Sequence, residues 1–291
     1  MILYKYVTFE TAKIILESSS LSFSNLEDFN DPFECTGLGL INPSVSVGIS
    51  TMAIRNRFSR KYAVLALTRN PLNLLMWSHY ADSYNGVVIG IDTQNAGFED
   101  SKKYVIPAQK GHITYIRTMP RSMNEVDVDT LRAIGNSETI NLEKTEQLLQ
   151  HVFLYKHLDW AYEEEVRIVK NINAANFAYH PKGFDNFKEC ILDGDVWQRI
   201  QLEVRPVYSV KIPSEAFVDV TVGDKMYVNL KRKQEAEHRK NKQLVPYTYE
   251  VEKHDEFFAV CKKLNLKCYR TEIDYETWQL KRRPLHLINA D

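Results

Sequence analysis

The chain opens on alternating apolar and polar positions, and residues 2–7 therefore predict a strand. Thr8 stands as an N-cap before residues 10–18, which place Ala12, Ile15 and Leu16 on one helical face. Ser18-Ser19-Ser20 ends that helix, and residues 21–24 resemble a short strand. A loop follows, Asn30-Asp31-Pro32-Phe33-Glu34, where proline fixes the backbone and Asn or Asp favours a turn. Residues 48–60 predict a helix, 63–68 an apolar strand, and Asn70-Pro71 a loop. Residues 74–81 read as a short helix carrying Met76, Trp77, His79 and Tyr80. Asn85-Gly86 is a turn signal before 87–91, a strand of the buried type.

Residues 104–106 and 112–115 are further strand candidates, and 121–160 read as helices, mainly from 142 to 160. Next comes Trp160-Ala-Tyr162-Glu163-Glu164-Glu165-Val166-Arg167-Ile168-Val169. As a strand it projects Glu163, Glu165 and Arg167 from one side, beside Trp160 and Tyr162. Strands are expected at 201–210 and 217–222, an amphipathic helix at 252–264 and a closing strand at 267–269. Neither an internal repeat nor a low-complexity linker interrupts the pattern. A single mixed α+β domain fits these elements best.

Composition narrows this picture only slightly. The 291 residues are 44% hydrophobic, enough for a core, and the net charge of −1 names no partner. Residues 231–243 carry six Lys and Arg against two Glu, either a grip on nucleic-acid phosphates or a solvated face. Cys35, Cys190, Cys261 and Cys268 show no metal-ligand spacing, so reduced thiols in a cytoplasmic chain are expected. No signal sequence is recognised, and no apolar run approaches the roughly 18 residues of a membrane span.

Several groups offer chemistry, each with a plainer reading. Paired carboxylates at Glu163 and Glu165 can stabilise an oxocarbenium-like transition state or accept a proton. Alternatively they pair with Arg167 or Lys156 in a surface ladder. Trp77, His79 and Tyr80 can wall a flat ligand or simply face the core. Lys5, between Tyr4 and Tyr6, can contact a phosphate or guard a sheet edge. The loop with Asn30 and Asp31 can shape a pocket or be a structural turn.

Taken in order, Leu3-Tyr4-Lys5-Tyr6, the 30–34 loop, Met76-Trp77-Ser78-His79-Tyr80-Ala81-Asp82 with Gly86, Lys156, Trp160 with Glu163-x-Glu165-x-Arg167, and Val222-Gly223 resemble the bacterial domain of unknown function 2971 family. The resemblance runs over about residues 2–225, taken as a core domain at 1–225, with 226–291 as an extension packed on it. That family in turn is similar to ADP-ribosyltransferases. The similarity implies a split central β-sheet flanked by helices, with NAD as substrate. It also implies that Glu165 is the catalytic glutamate and that Glu163 orients the acceptor. Lys5 stands where a His or Arg normally contacts the NAD ribose or phosphate, and Tyr80 would stack on nicotinamide. Tyr4, Trp77, His79, Asn30 and Asp31 complete the implied cofactor-binding set. The acceptor would be a protein, a nucleic acid or water, in a toxin or phage-defence role. Two alternatives stay open. One is a non-catalytic nucleotide- or protein-binding module in which Glu163, Glu165 and Arg167 form a buried network. The other is a metal-dependent hydrolase or nuclease using Asp31, Glu34 and the Glu pair.

Overall fold

The computed structural model describes residues 1–34, 61–118, 149–150, 152–172, 187–202, 205–226 and 248–285, with the backbone alone at 187–188 and 248–254. The helix expected at 48–60, the helical stretch 121–148, Cys35 and the basic run 231–243 lie outside the described residues. The fold is α+β, with a large mixed sheet and few helices. Contacts group the chain into two units. The first comprises residues 1–20, 67–96 and 212–291, and the second residues 21–66 and 97–211.

In the first unit, β1 (Ile2–Val7) pairs antiparallel with β4 (Val87–Asp92), Tyr4 opposite Gly90. On its other side β4 meets β11 (Phe217–Val222), which runs parallel to β12 (Lys267–Asp274). Last comes β13 (Gln279–Pro284), antiparallel to β12. Strand alternation sorts the side chains. Leu3, Val7, Ile89, Ile91, Val220, Val222 and Cys268 share one face by register. Helix α1 (Phe9–Ser18) buries Ala12, Ile15 and Leu16. Its Thr8 cap accepts a hydrogen bond from the Thr11 amide, and Ser19 ends it in the left-handed region. Helix α3 (Thr248–Lys263) buries Phe257 and Cys261, and Phe257 packs against Phe9 of α1. The sheet's opposite face carries Tyr4, Tyr6, Gly90, Asp219, Thr221, Tyr269, Thr271 and Arg282. Helix α2 (Leu74–Tyr80) is capped by Asn73, whose side chain accepts from the Leu75 and Met76 amides. It sets Trp77 edge-on against Tyr6. At Gly223 a Cβ would lie 2.0 Å from the Tyr84 carbonyl oxygen, so only glycine lets the chain pass there.

In the second unit, β2 (Ser20–Ser24) and β3 (Tyr62–Thr68) pair antiparallel, and β7 (Glu165–Asn171) adds to β3. Beyond β2 the order continues through β10 (Pro206–Lys211), β9 (Asp195–Gln201) and β8 (Phe187–Leu192). A separate parallel pair joins β5 (Thr114–Ile116) to β6 (Tyr155–His157). Leu26, Tyr62, Val64, Ile106, Val152, Phe153 and Val169 form one core cluster. A second group of rings, Phe23, Phe98, Tyr104 and Trp197, surrounds the ammonium of Lys170.

Four expectations are corrected. Residues 155–157 form β6 and 158–163 a 3-10 turn, so the helix does not run on to Trp160. Residues 201–210 are the turn between β9 and β10 with parts of both, not one strand. Residues 104–106 contribute an isolated bridge from Ile106 to Val169 rather than a strand. The closing strand is the hairpin of β12 and β13. Each error has one origin: apolar residues within a short window were read as a single continuous element.

Candidate functional site: a buried carboxylate network

The second unit holds a chain of five charged side chains in order Glu34, Arg167, Glu165, Lys156 and Glu163, all at most 5% exposed. Their placement follows from local structure. Glu165 and Arg167 alternate on β7 and share a face, as the sequence pattern requires. Glu163 does not lie on that strand. It ends the 3-10 turn Leu158–Glu163, and Glu164 then takes left-handed angles, φ 44° and ψ 44°. That reversal lets Glu163 and Glu165 meet the same ammonium. Lys156 Nζ donates to Glu163 Oε2 at 2.5 Å and to Glu165 Oε2 at 3.0 Å.

Arg167 spends every guanidinium hydrogen. Nε donates to Glu165 Oε1 at 2.8 Å and Nη2 to Glu165 Oε2 at 3.2 Å. Nη1 reaches Glu34 Oε2 at 2.9 Å and the Phe153 carbonyl at 2.8 Å, while Nη2 also binds Glu34 Oε1. Five donors in a planar fork are thereby matched by five acceptors. Below the guanidinium lies the ring of Phe29, 5.1 Å away. Lys156 in turn sits 4.8 Å from the Trp160 ring, and Trp160 neighbours Tyr162. The Tyr115 hydroxyl accepts the Glu165 backbone amide at 2.8 Å. A strand-like segment holds β7 from outside: Arg167 N donates to Gly111 O at 2.8 Å, and a Cβ on Gly111 would stand 1.8 Å from the Arg167 carbonyl oxygen.

Electrostatics follow this geometry. Burial alone would raise the Glu165 carboxyl, but the charges and hydrogen bonds of Arg167 and Lys156 outweigh it and hold the group at about 2. Burial likewise opposes the charge on Lys156, yet Glu165 and Glu163 keep it raised. Tyr115 is pushed up to about 12, chiefly by burial, and remains a neutral phenol. A depressed carboxyl stabilises the fold above its unfolded value of 4.5 and loses that contribution as pH falls toward about 2. Urea unfolding between those pH values should therefore show stability falling with acid in wild type. In Glu165→Gln this segment of the pH dependence should flatten; an unchanged acid slope would remove Glu165 from the account.

The 30–34 loop presents Glu34 to the network. Asp31 is buried and its Oδ1 accepts the Phe33 amide at 2.8 Å, the Asx turn expected from its sequence; Asn30 is exposed. Phe33 projects outward, 6.3 Å from the ring of His157. Among the described residues no three of His, Cys, Asp and Glu gather as a metal site would need. Glu34 and Glu165 are bridged by Arg167, a fixed cation between two carboxylates.

Tyr4, Lys5, Trp77, His79 and Tyr80 belong to the first unit. Tyr4 and Lys5 point to opposite faces of β1. Tyr4 lies 5.9 Å below the Arg282 guanidinium, which binds Asp219 Oδ1 at 2.6 Å. Trp77 is fully buried, and its Nε1 donates to the Pro71 carbonyl at 2.9 Å. Its ring stacks on Tyr84. His79 is exposed and meets Tyr80 edge-on. Local pattern gave no sign of Tyr115, which lies 50 residues before the amide it accepts.

Residues 76–168 match the family described as Protein of unknown function (DUF2971). The match takes in α2, β4, β5, β6 and the first part of β7, and with them Lys156, Glu163, Glu165 and Arg167. Tyr4, Lys5, the 30–34 loop and Glu34 lie outside the DUF2971 segment, which is shorter than the span of 2–225 expected from sequence. No curated protein and no solved structure matches the chain. Among the described residues no helix is long and apolar enough to cross a membrane.

Proposed function

We propose that the chain is an NAD-dependent ADP-ribosyltransferase-like enzyme, with the split-sheet fold of that class, and that Glu165 is its working carboxylate. One observation carries the reading: Glu165 is held at about 2 by two fixed cations, so a negative charge persists there at any physiological pH. Such a charge favours a ribose that becomes oxocarbenium-like as its bond to nicotinamide breaks. Nicotinamide leaves with the bonding electrons. The acceptor then bonds to the ribose carbon and gives up its proton, and Glu163 orients that acceptor. Arg167, Lys156 and Tyr115 position Glu165 without touching substrate. Tyr4, Lys5, Trp77, His79, Tyr80, Asn30 and Asp31 are the NAD contacts that the resemblance assigns. A protein, a nucleic acid or water takes the ADP-ribose, in the role of a cytoplasmic toxin or phage-defence effector.

A second reading has its own support. Both oxygens of Glu165 are engaged by Arg167 and Lys156, and its side chain is only 6% exposed. A carboxylate committed in this way suits a non-catalytic nucleotide- or protein-binding module whose network is purely structural. Nicotinamide release from NAD by wild type and Glu165→Gln, with cell lysate as acceptor and folding followed by circular dichroism, separates the two. Release that disappears in a folded variant supports the transferase. No release from either protein, together with no thermal shift on adding NAD, sinks it and favours the module.

A further inference from the structure

The hairpin of β12 and β13 carries features that the carboxylate network does not use. Its tip displays Tyr275 at 81% and Trp278 at 85% exposure, with Ile273 also exposed. Rings of this size normally bury 150–250 Å² each, so two in water beside each other are unusual. The turn is rigid. Asp274 Oδ1 accepts the Glu276 and Thr277 amides, its Oδ2 accepts the Thr277 hydroxyl at 2.6 Å, and the Trp278 amide donates to the Asp274 carbonyl at 2.9 Å. Trp278 itself has φ 57°, a left-handed position that glycine ordinarily fills at a cost lower by about 1–2 kcal/mol. The chain thus presents an indole where backbone preference alone would place no side chain.

Charge is concentrated beside these rings. Between residues 262 and 283 seven Lys and Arg stand against three Asp and Glu, in a chain whose net charge is −1. Arg270 and Arg283 are directly cross-strand neighbours, and both lean on the single carboxylate Glu272. Like charges opposed in this way destabilise a sheet unless a further anion joins them. Lys281, on the same face, is steadied by Asp274. The Lys281 and Arg283 side chains remain 62% and 61% exposed. Cations and Pro284 on β13, an edge strand among the described residues, also discourage edge pairing. Edge protection explains those residues but not the two rings at the tip. Self-pairing of β13 would oppose its own Lys281-Arg282-Arg283 run, which argues against a second copy as the occupant.

We propose that this hairpin docks single-stranded nucleic acid, Tyr275 and Trp278 stacking on bases while Arg270, Lys281 and Arg283 take the backbone phosphates. Stacking platforms beside a basic track are how sequence-tolerant single-strand binders work. From Trp278 to Arg283 the strand extends about 17 Å, room for several phosphates alongside it. The inference does not depend on the transferase reading, because no residue of the carboxylate network takes part.

The test is fluorescence anisotropy of a labelled oligothymidylate of about 12 nucleotides with the full chain, at salt from about 50 to 200 mM. Trp278→Gly suits the backbone at that position, so its fold is retained, and a thermal melt checks it. Trp278→Gly with Tyr275→Ser should weaken binding about tenfold or more. Lys281→Gln with Arg283→Gln should flatten the salt slope by about one. Absence of binding at the lowest salt overturns the proposal. So does binding that both variants leave unchanged, or equal affinity for a duplex of the same length. Association with phosphatidylserine vesicles but not with the oligonucleotide would overturn it in favour of a lipid surface.

Discussion

Arg167→Ala is expected to lower stability by about 3–5 kcal/mol, enough to leave much of the protein unfolded at ordinary temperature. The guanidinium is wholly buried and satisfies four carboxylate contacts and one carbonyl. Its removal strands two carboxylates in a site without water, and each must then take up a proton or drag water inward. Arg167→Lys should recover little, since one ammonium cannot serve Glu34 and Glu165 together. Removing the charges as a set is different. The triple variant Glu34→Gln, Glu165→Gln, Arg167→Met should be distinctly more stable than Arg167→Ala, because no unpaired charge remains. Urea midpoints at constant slope measure all three. A loss below about 1 kcal/mol in Arg167→Ala would mean that the network is open to solvent.

Trp77→Ala should cost about 3–5 kcal/mol, the usual result of emptying a large ring from a packed core. Trp77 is 0% exposed, sits edge-on to Tyr6, stacks on Tyr84 and lies 3.1 Å from where a Cβ on Gly223 would be. Trp77→Phe keeps an aromatic ring but loses the hydrogen bond to Pro71, so a smaller loss of about 1–2 kcal/mol is expected. If Trp77 acts through the core, any NAD-induced thermal shift of Trp77→Phe should match that of wild type. An abolished shift in a protein that still melts cooperatively would instead place the indole against the ligand.

Much of the fold was legible because it is local. The strand Ile2–Val7, the Thr8 cap, the apolar face of α1, the strand Val87–Asp92 and the Asx turn at Asp31 each depend on residues within a few positions of one another. The 158–163 turn was not legible, because Trp160 and Tyr162 alternate as strand residues do while Glu164 adopts an angle that no neighbour announces. The hairpin of β8 and β9 and the full length of β12 and β13 escaped for a related reason. Their charged positions weaken the alternation, and only pairing partners supply the hydrogen bonds that make them strands.

For the candidate site the sequence by itself determined the inventory. It placed Glu165 two residues from Arg167, so that a strand would turn them to one side, and it put Lys156 and Glu163 nearby. Tertiary structure alone decided that these charges are buried, that Glu34 arrives from 133 residues away to share the guanidinium, and that Tyr115 caps the Glu165 amide. The physical reason is range. Backbone preference and hydrophobic period act over a turn or a strand, whereas the energy of a buried charge is fixed by whichever distant residue the topology brings within hydrogen-bond reach.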